Sequence, residues 1–224
     1  MNNKYMDVVD KYLKDEKFLA RIINLVSVTT KFLSEQKIDH FLVQGTLLGY
    51  KKYKSIMPWE TDIDISIISD KQTFDNNQLK SFINTHNLEH EWKYNDTMII
   101  LKYKDQKYPC VDLCLMRKRN DRYCRDKYCY EKPPPRWFVD DLPSDYLYPL
   151  QKNTMNGIEI FIPNKTNEIL DIIYPDYQNI IILDPFYGKT TERLTITKDM
   201  TAFHYLTGIA IGMSRYYSLG FNKS

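Results

Sequence analysis

Glycine is scarce in this chain, seven residues among 224, and neither an internal repeat nor a low-complexity segment is visible. No run of about 18 apolar residues occurs, so a transmembrane helix is not expected. The best candidate, AFHYLTGIAIGMSRYYSLGF at 202–221, is interrupted by His204, Ser214 and Arg215 and reads as a buried C-terminal helix. The first twenty residues, MNNKYMDVVDKYLKDEKFLA, lack the apolar centre of a signal peptide. The expectation is a cytoplasmic or otherwise soluble protein. Charge of one sign is also missing. With 31 basic and 29 acidic residues the formal net charge is +2. No global field for nucleic acid or a membrane surface follows, so any basic feature is local. Cysteine is limited to four residues, all between 110 and 129.

What is present is enough for a core: 43% apolar and 14% aromatic residues, with 18 tyrosines. At this length one domain is expected, or one with an appendage. Apolar residues at mostly helical spacing predict one long or broken amphipathic helix over 6–36. HFLVQ (40–44) reads as a short strand, TLLGYKKY after Gly45 as a helix, and DIDISII (62–68) as a strand of period two. A helix is expected over 71–86, a hairpin over 90–103 turning at Asn95-Asp96, and a strand over 108–116. A second hairpin over 148–163 turns at Asn156-Gly157, and a helix over 164–174 takes Asn164 as N-cap. NIIIL (179–183) is strand-like. The order implies a mixed α/β (α+β) fold around one small sheet flanked by helices.

The chemistry concentrates in residues 42–65, LVQGTLLGYKKYKSIMPWETDIDI. Side chains at i and i+2 of a strand share a face, so Asp62 and Asp64 project together. Paired carboxylates repel unless a cation lies between them, and oxygen ligands suit Mg²⁺ or Mn²⁺. Asp112, inside CVDLC, sits mid-strand in similar surroundings, and a neighbouring strand would bring it beside the first two. Three such carboxylates fit phosphoryl transfer. Gly45-Thr46, at a strand-to-helix turn, is suited to cradling phosphate through backbone amides and a helix N-terminus. Gly-Thr, then acid-x-acid, then a third acid on a later strand is the arrangement of the nucleotidyltransferase fold.

The stretch closely resembles the LicD family, which includes bacterial phosphocholine transferases and fukutin-like proteins. Gly45, Thr46, Leu47, Leu48 and Gly49 match its first block, and Pro58, Trp59, Asp62 and Asp64 its second. Lys52 stands where the family often has Arg, and Lys54 keeps a basic residue. Val111-Asp112-Leu113 looks like the third-acid strand. NGIEIFIPN and ILDIIYPDY look like the later hairpin and helix. Glu60 and Thr61 replace residues often acidic in the family, and Pro175 stands where Gly is usual. The resemblance covers roughly 40–177, with a helical segment 1–39 before it and a C-terminal extension 178–224 after it.

The resemblance implies Mg²⁺-dependent transfer of a phospho-alcohol group, of the phosphocholine or ribitol phosphate type, from a CDP-linked donor to a glycan hydroxyl. Asp62 and Asp64 would hold the metal, and Asp112 would be a third ligand or the base. Gly45, Thr46, Lys52 and Lys54 would hold phosphate. Two rivals stand beside this reading. One is an NTP-dependent nucleotidyltransferase acting on a small molecule, protein or RNA; the other is a non-catalytic glycan- or nucleic-acid-binding module on the same fold.

Residues 117–136 carry eight Lys/Arg against three acids and end in three prolines. They read as a basic loop facing an anionic substrate, with Arg122 and Arg125 as contacts. Cys110 and Cys114 lie on the strand of Asp112, while Cys124 and Cys129 lie in the loop. Structural zinc, buried thiols and disulfides all remain open, since the spacings depart from the usual zinc pattern. Some fukutin-like relatives carry a zinc-binding cysteine insertion here.

Overall fold

The computed structural model describes residues 16–57, 60–69, 74–94, 96–124, 141–174, 177, 180–182 and 193–195. Helix α1 (Glu16–Glu35) turns Leu19, Ile22, Ile23, Val26 and Leu33 to one side, where all are buried. It packs on the sheet and on the hairpin at residues 151–162. Strand β1 (His40–Leu42) leads into α2 (Gln44–Tyr53), and β2 (Asp62–Ile68) follows. Helix α3 (Asn77–Thr85) is capped by the Asn76 side chain, which accepts from the amides of Gln78 and Leu79 at 2.9 and 3.0 Å. Strands β3 (Leu88–Lys93) and β4 (Met98–Tyr103) form the first expected hairpin, and β5 (Cys110–Arg119) completes the centre of the sheet.

The main sheet runs β1-β2-β5-β4-β3. Only β2 and β5 are parallel in this path; the other pairs are antiparallel. Its two faces are chemically opposite. Ile63, Ile65 and Ile67 of β2, Val111 and Leu113 of β5, and Ile99 and Leu101 of β4 all point into the core. Burying each such side chain contributes about 1.5–3 kcal/mol, and the sheet is held flat against the core by these rows. The alternate residues, Asp62, Asp64 and Asp112, are half-buried on the other face.

Residues 117–119 continue β5, and β6 (Arg122–Cys124) pairs back on it, with β7 (Asp141–Pro143) beyond. The start of the expected basic loop is therefore a hairpin, turning at Asn120 with φ 53°. Its charged side chains face outward and carry no apolar alternation, which hid the strands from periodicity. Positions 125–136 of that segment, including Arg125 and Cys129, lie outside the described residues, as do Pro58, Trp59 and Pro175.

A short helix α4 (Ser144–Leu147) precedes the hairpin β8 (Gln151–Met155) and β9 (Ile158–Ile162), which turns at Asn156-Gly157 with φ 50° and 77°. Helix α5 (Thr166–Ile173) follows. Asn164 does not cap it: the N-cap is Lys165, and the Asn164 side chain donates to the Asp145 carbonyl at 3.2 Å instead. Strands β10 (Ile180–Ile182) and β11 (Arg193–Thr195) pair with each other. The expected helix at 202–221 lies outside the described residues. No helix among the described residues is long and apolar enough to cross a membrane.

Candidate functional site

The three aspartates meet through register. In the parallel pair β2–β5, Asp64 lies directly beside Asp112, and Asp62 beside Cys110. Asp62 and Asp64 share a face because they are two residues apart. One carboxylate oxygen from each of Asp62, Asp64 and Asp112 lies within 4.8 Å of the others. This donor set, three anionic oxygens and no nitrogen or sulfur, suits a hard divalent cation such as Mg²⁺ or Mn²⁺. The Thr61 hydroxyl, buried, donates to Asp62 Oδ1 at 3.4 Å.

Gly45-Thr46 is tied to the acids directly. The Asp64 backbone N–H donates to Thr46 Oγ1 at 2.9 Å, and the Asp64 carbonyl accepts from the Val43 N–H at 3.2 Å. Both polar backbone groups of Asp64 are thus taken by the turn that opens α2. The turn passes through Gln44 at φ 50°. Thr46 is buried, so its oxygen serves the acid strand while its hydroxyl hydrogen is still a donor. A Cβ on Gly45 would lie 2.9 Å from Glu60 Oε1. The missing side chain therefore admits the Glu60 carboxylate beside the start of α2, an anion in the neighbourhood where phosphate was expected. The metal-capable cluster does not include Glu60.

Gly49 is a second close approach, since a Cβ there would meet Met57 Cγ at 2.9 Å and the Ser55 carbonyl at 3.0 Å. It lets α2 lie against residues 55–57, which lead toward the acids. That segment is clamped from the far side. Asn156 Oδ1, at the tip of β8–β9, accepts from the Ile56 N–H at 2.9 Å, and its Nδ2 donates to Ser55 Oγ at 3.0 Å. Tyr50 of α2 donates to Asn153 Oδ1 of the same hairpin at 2.8 Å. Asn156 was legible as a turn residue but not as a clamp, because its partners lie a hundred positions away.

The basic residues are placed unequally. Lys52 is half-buried, and its Nζ donates to the Tyr177 carbonyl at 2.6 Å. Burial lowers its ammonium to about 8. Lys54 caps α2 at φ 57°, exposed, with Nζ 4.2 Å from the Tyr50 ring centroid. Arg122 is exposed and paired with Asp141 at 2.7 Å, which raises its guanidinium further.

Cys110, Cys114 and Cys124 are buried thiols. Cys110 and Cys114 cannot share one zinc ion: four residues of extended strand separate them by about 13 Å. Among the described residues no cysteine enters a metal-capable cluster. Burial, and after it the neighbouring carboxylates of Asp112, Asp62 and Asp64, push the Cys110 thiol up.

Residues 37–165 match the family described as LicD/FKTN/FKRP, nucleotidyltransferase domain. An uncharacterized protein of Rickettsia typhi is 25% identical over 175 residues, covering 78% of this chain and 52% of that protein. Its counterpart in Rickettsia prowazekii is 26% identical over 182 residues, covering 78% and 62%. The chain thus spans 52% and 62% of the length of these two relatives. Among solved structures, a lincosamide antibiotic adenylyltransferase with lincomycin bound aligns over 74% of this chain and 89% of its own, at 16% identity and TM-score 0.39. The antibiotic-resistance factor ANT(2'')-Ia aligns over 88% and 94%, at 10% identity and TM-score 0.45.

Proposed function

The chain belongs to the LicD/FKTN/FKRP nucleotidyltransferase-domain family, and from that premise we propose that it is a metal-dependent phosphotransferase. It moves a phospho-alcohol group, of the phosphocholine or ribitol phosphate type, from a CDP-linked donor to a glycan hydroxyl. The observation that supports this reading is the β2–β5 register, with three carboxylates within 4.8 Å of one another.

In the proposed reaction the acceptor oxygen bonds to the distal phosphorus of the donor. The bond from that phosphorus to the bridging oxygen breaks, and CMP leaves. Asp62 and Asp64 are the proposed ligands of Mg²⁺ or Mn²⁺, which when bound offsets the charge of the donor diphosphate. Asp112 completes the ligand set or accepts the proton of the incoming hydroxyl. The amide of Gly45 and the hydroxyl hydrogen of Thr46 are donors to phosphate oxygens. Access there requires the Glu60 carboxylate to give way. Lys52, on the same helix, supplies positive charge for the leaving diphosphate oxygen. Lys54, Arg122 and Arg125 are assigned to the anionic substrate by charge alone.

The test is a panel of CDP-alcohols and NTPs with Mg²⁺, followed by release of CMP or pyrophosphate and by melting temperature. At least one CDP-alcohol should give CMP and raise the melting temperature, since a ligand of the native state stabilises it by mass action. ATP and GTP should do less. Pyrophosphate release from ATP, with no response to any CDP compound, would replace this reading with nucleotidyl transfer.

A further inference from the structure

Helix α2 carries the proposed phosphate donors at its start, and it is pinned at both ends. At the start, the Asp64 N–H donates to Thr46 Oγ1 at 2.9 Å and the Val43 N–H to the Asp64 carbonyl at 3.2 Å, which ties the Gly45-Thr46 turn to β2. At the far end the partner is the β8–β9 hairpin. The Tyr50 hydroxyl donates to Asn153 Oδ1 at 2.8 Å. Just beyond the helix, the Ile56 N–H donates to Asn156 Oδ1 at 2.9 Å, and Asn156 Nδ2 donates to Ser55 Oγ at 3.0 Å. The Ile56 amide decides which way the Asn156 side chain faces, since only its oxygen accepts. Ser55 and Ile56 are buried, where such bonds are stronger than in water.

The hairpin is itself fixed to the core. Met155, Ile158, Ile160 and Ile162 are buried, and β9 packs on β1 and α1. Helix α2 has ten residues, a rod of about 15 Å. Held only at its start, such a rod tilts about that point, which re-aims its first-turn amides and shifts Lys52 near its end. The acids do not follow, because Asp62, Asp64 and Asp112 are set by the β2–β5 register. We propose that Asn156 is a positioning residue: from the tip of β8–β9 it holds the end of α2, so that the Gly45-Thr46 turn and Lys52 meet the donor phosphates beside the acids. Asn156 acts through α2 and is not a contact of the substrate. The inference rests on the phosphate-transfer reading above.

The test compares Asn156→Gly, Asn156→Asp and Asp64→Asn with the wild type, each as the full chain and below its melting transition. Glycine takes the φ of 50° at this position without strain, so the first variant removes the side chain and keeps the turn. Two quantities are read. One is kcat/KM for whichever CDP-alcohol or NTP of the panel the wild type turns over. The other is Mn²⁺ affinity, from the electron paramagnetic resonance signal of the free ion. Asn156→Gly should lose about 100-fold in kcat/KM, as a displacement of about 1 Å remote from the chemistry does, while binding Mn²⁺ like the wild type. Asn156→Asp keeps the acceptor for Ile56 and should recover most of the activity. A folded Asn156→Gly with wild-type kcat/KM would overturn the proposal, and so would equal losses in the glycine and aspartate variants. A Mn²⁺ affinity that falls with the activity would overturn it too, because the effect would then reach the acids rather than α2. If Asn156→Gly does not fold, Tyr50→Phe removes the other anchor by deleting one hydroxyl. It should lower kcat/KM with Mn²⁺ affinity retained, and full activity would overturn the proposal. If wild type and Asp64→Asn bind Mn²⁺ alike, or the wild type turns over no compound, the reading of the site is refuted and this inference falls with it. If the site stands while Asn156→Gly matches the wild type, only the inference falls.

Discussion

Replacing Asp64 by asparagine separates the electrostatics of the site from its shape. The substitution keeps side-chain volume and leaves both backbone bonds of residue 64, to Thr46 and from Val43, in place. It removes one of three negative charges whose oxygens lie within 4.8 Å of one another. At that separation each pair repels by about 0.9 kcal/mol in the dielectric of water and about 3.5 kcal/mol at an effective dielectric of 20. The aspartates are half-exposed, so the low end applies, and the two relieved pairs together contribute about 2 kcal/mol. For a chain of this length 1 kcal/mol moves the melting temperature by about 2–4 °C. In EDTA at low salt, Asp64→Asn should therefore melt about 4–8 °C above the wild type. The gain should fade toward 1 M salt, where the screening length is about 3 Å. Saturating Mg²⁺ should reverse the order. At a hundred times its Kd a ligand adds about 2.7 kcal/mol to the wild type, and the variant should gain little and lose transfer activity. Calorimetry with and without Mg²⁺ decides the matter. A variant that melts below the wild type in EDTA and keeps its Mg²⁺ shift would refute the reasoning.

Lys52 carries a pH prediction, because burial lowers its ammonium to about 8. If that charge holds the diphosphate, kcat/KM should fall above about pH 8, Lys52→Arg should move the limb upward, and Lys52→Met should abolish it. The stability effect has the opposite sign. Between about 8 and the unfolded value near 10.4 the unfolded chain binds more protons, so the Lys52 contribution to stability rises with pH. Melting temperatures of wild type and Lys52→Met across that window should show it. Asn156→Ala would leave the buried Ile56 amide unpaired, at a cost of about 1–3 kcal/mol and a fall of about 2–12 °C in melting temperature. Asn156→Asp, which retains the acceptor, should lose less; equal losses would argue against the clamp.

Some of this architecture was legible along the chain. The alternation in DIDISII predicts β2 with the bounds observed, because one face must be apolar and the other is not. Asn156-Gly157 forms the expected turn because both positions take positive φ. Register is different. Period two tells which residues share a face, and nothing local says that Asp64 stands beside Asp112 rather than two residues off. The same limit applies to Thr46, whose hydroxyl was legible as part of a turn. Its partner, the Asp64 amide, depends on where β2 lands. Asn164 looked like a cap by its residue type, and a tertiary carbonyl at Asp145 claimed its side chain. The 117–124 segment read as loop because its charged residues outnumber the buried Tyr123 and Cys124 and leave no apolar rhythm.

The opposed faces of β2 have a consequence for folding errors. A one-residue slip of β2 against β5 turns every side chain over. Ile63, Ile65 and Ile67 would go to the polar side, and Asp62 and Asp64 into the apolar layer, where unpaired carboxylates are far more costly than exposed isoleucines. A slip of two keeps the faces but sets Asp64 beside Cys110 or Cys114 instead of Asp112. The first error is rejected by the burial of charge, and the second only by the packing it disturbs. Misaligned molecules that survive cellular quality control would therefore be of the second kind, folded but without the paired aspartates. A purified sample containing them would show a specific activity below its folded fraction, a deficit that metal titration would count.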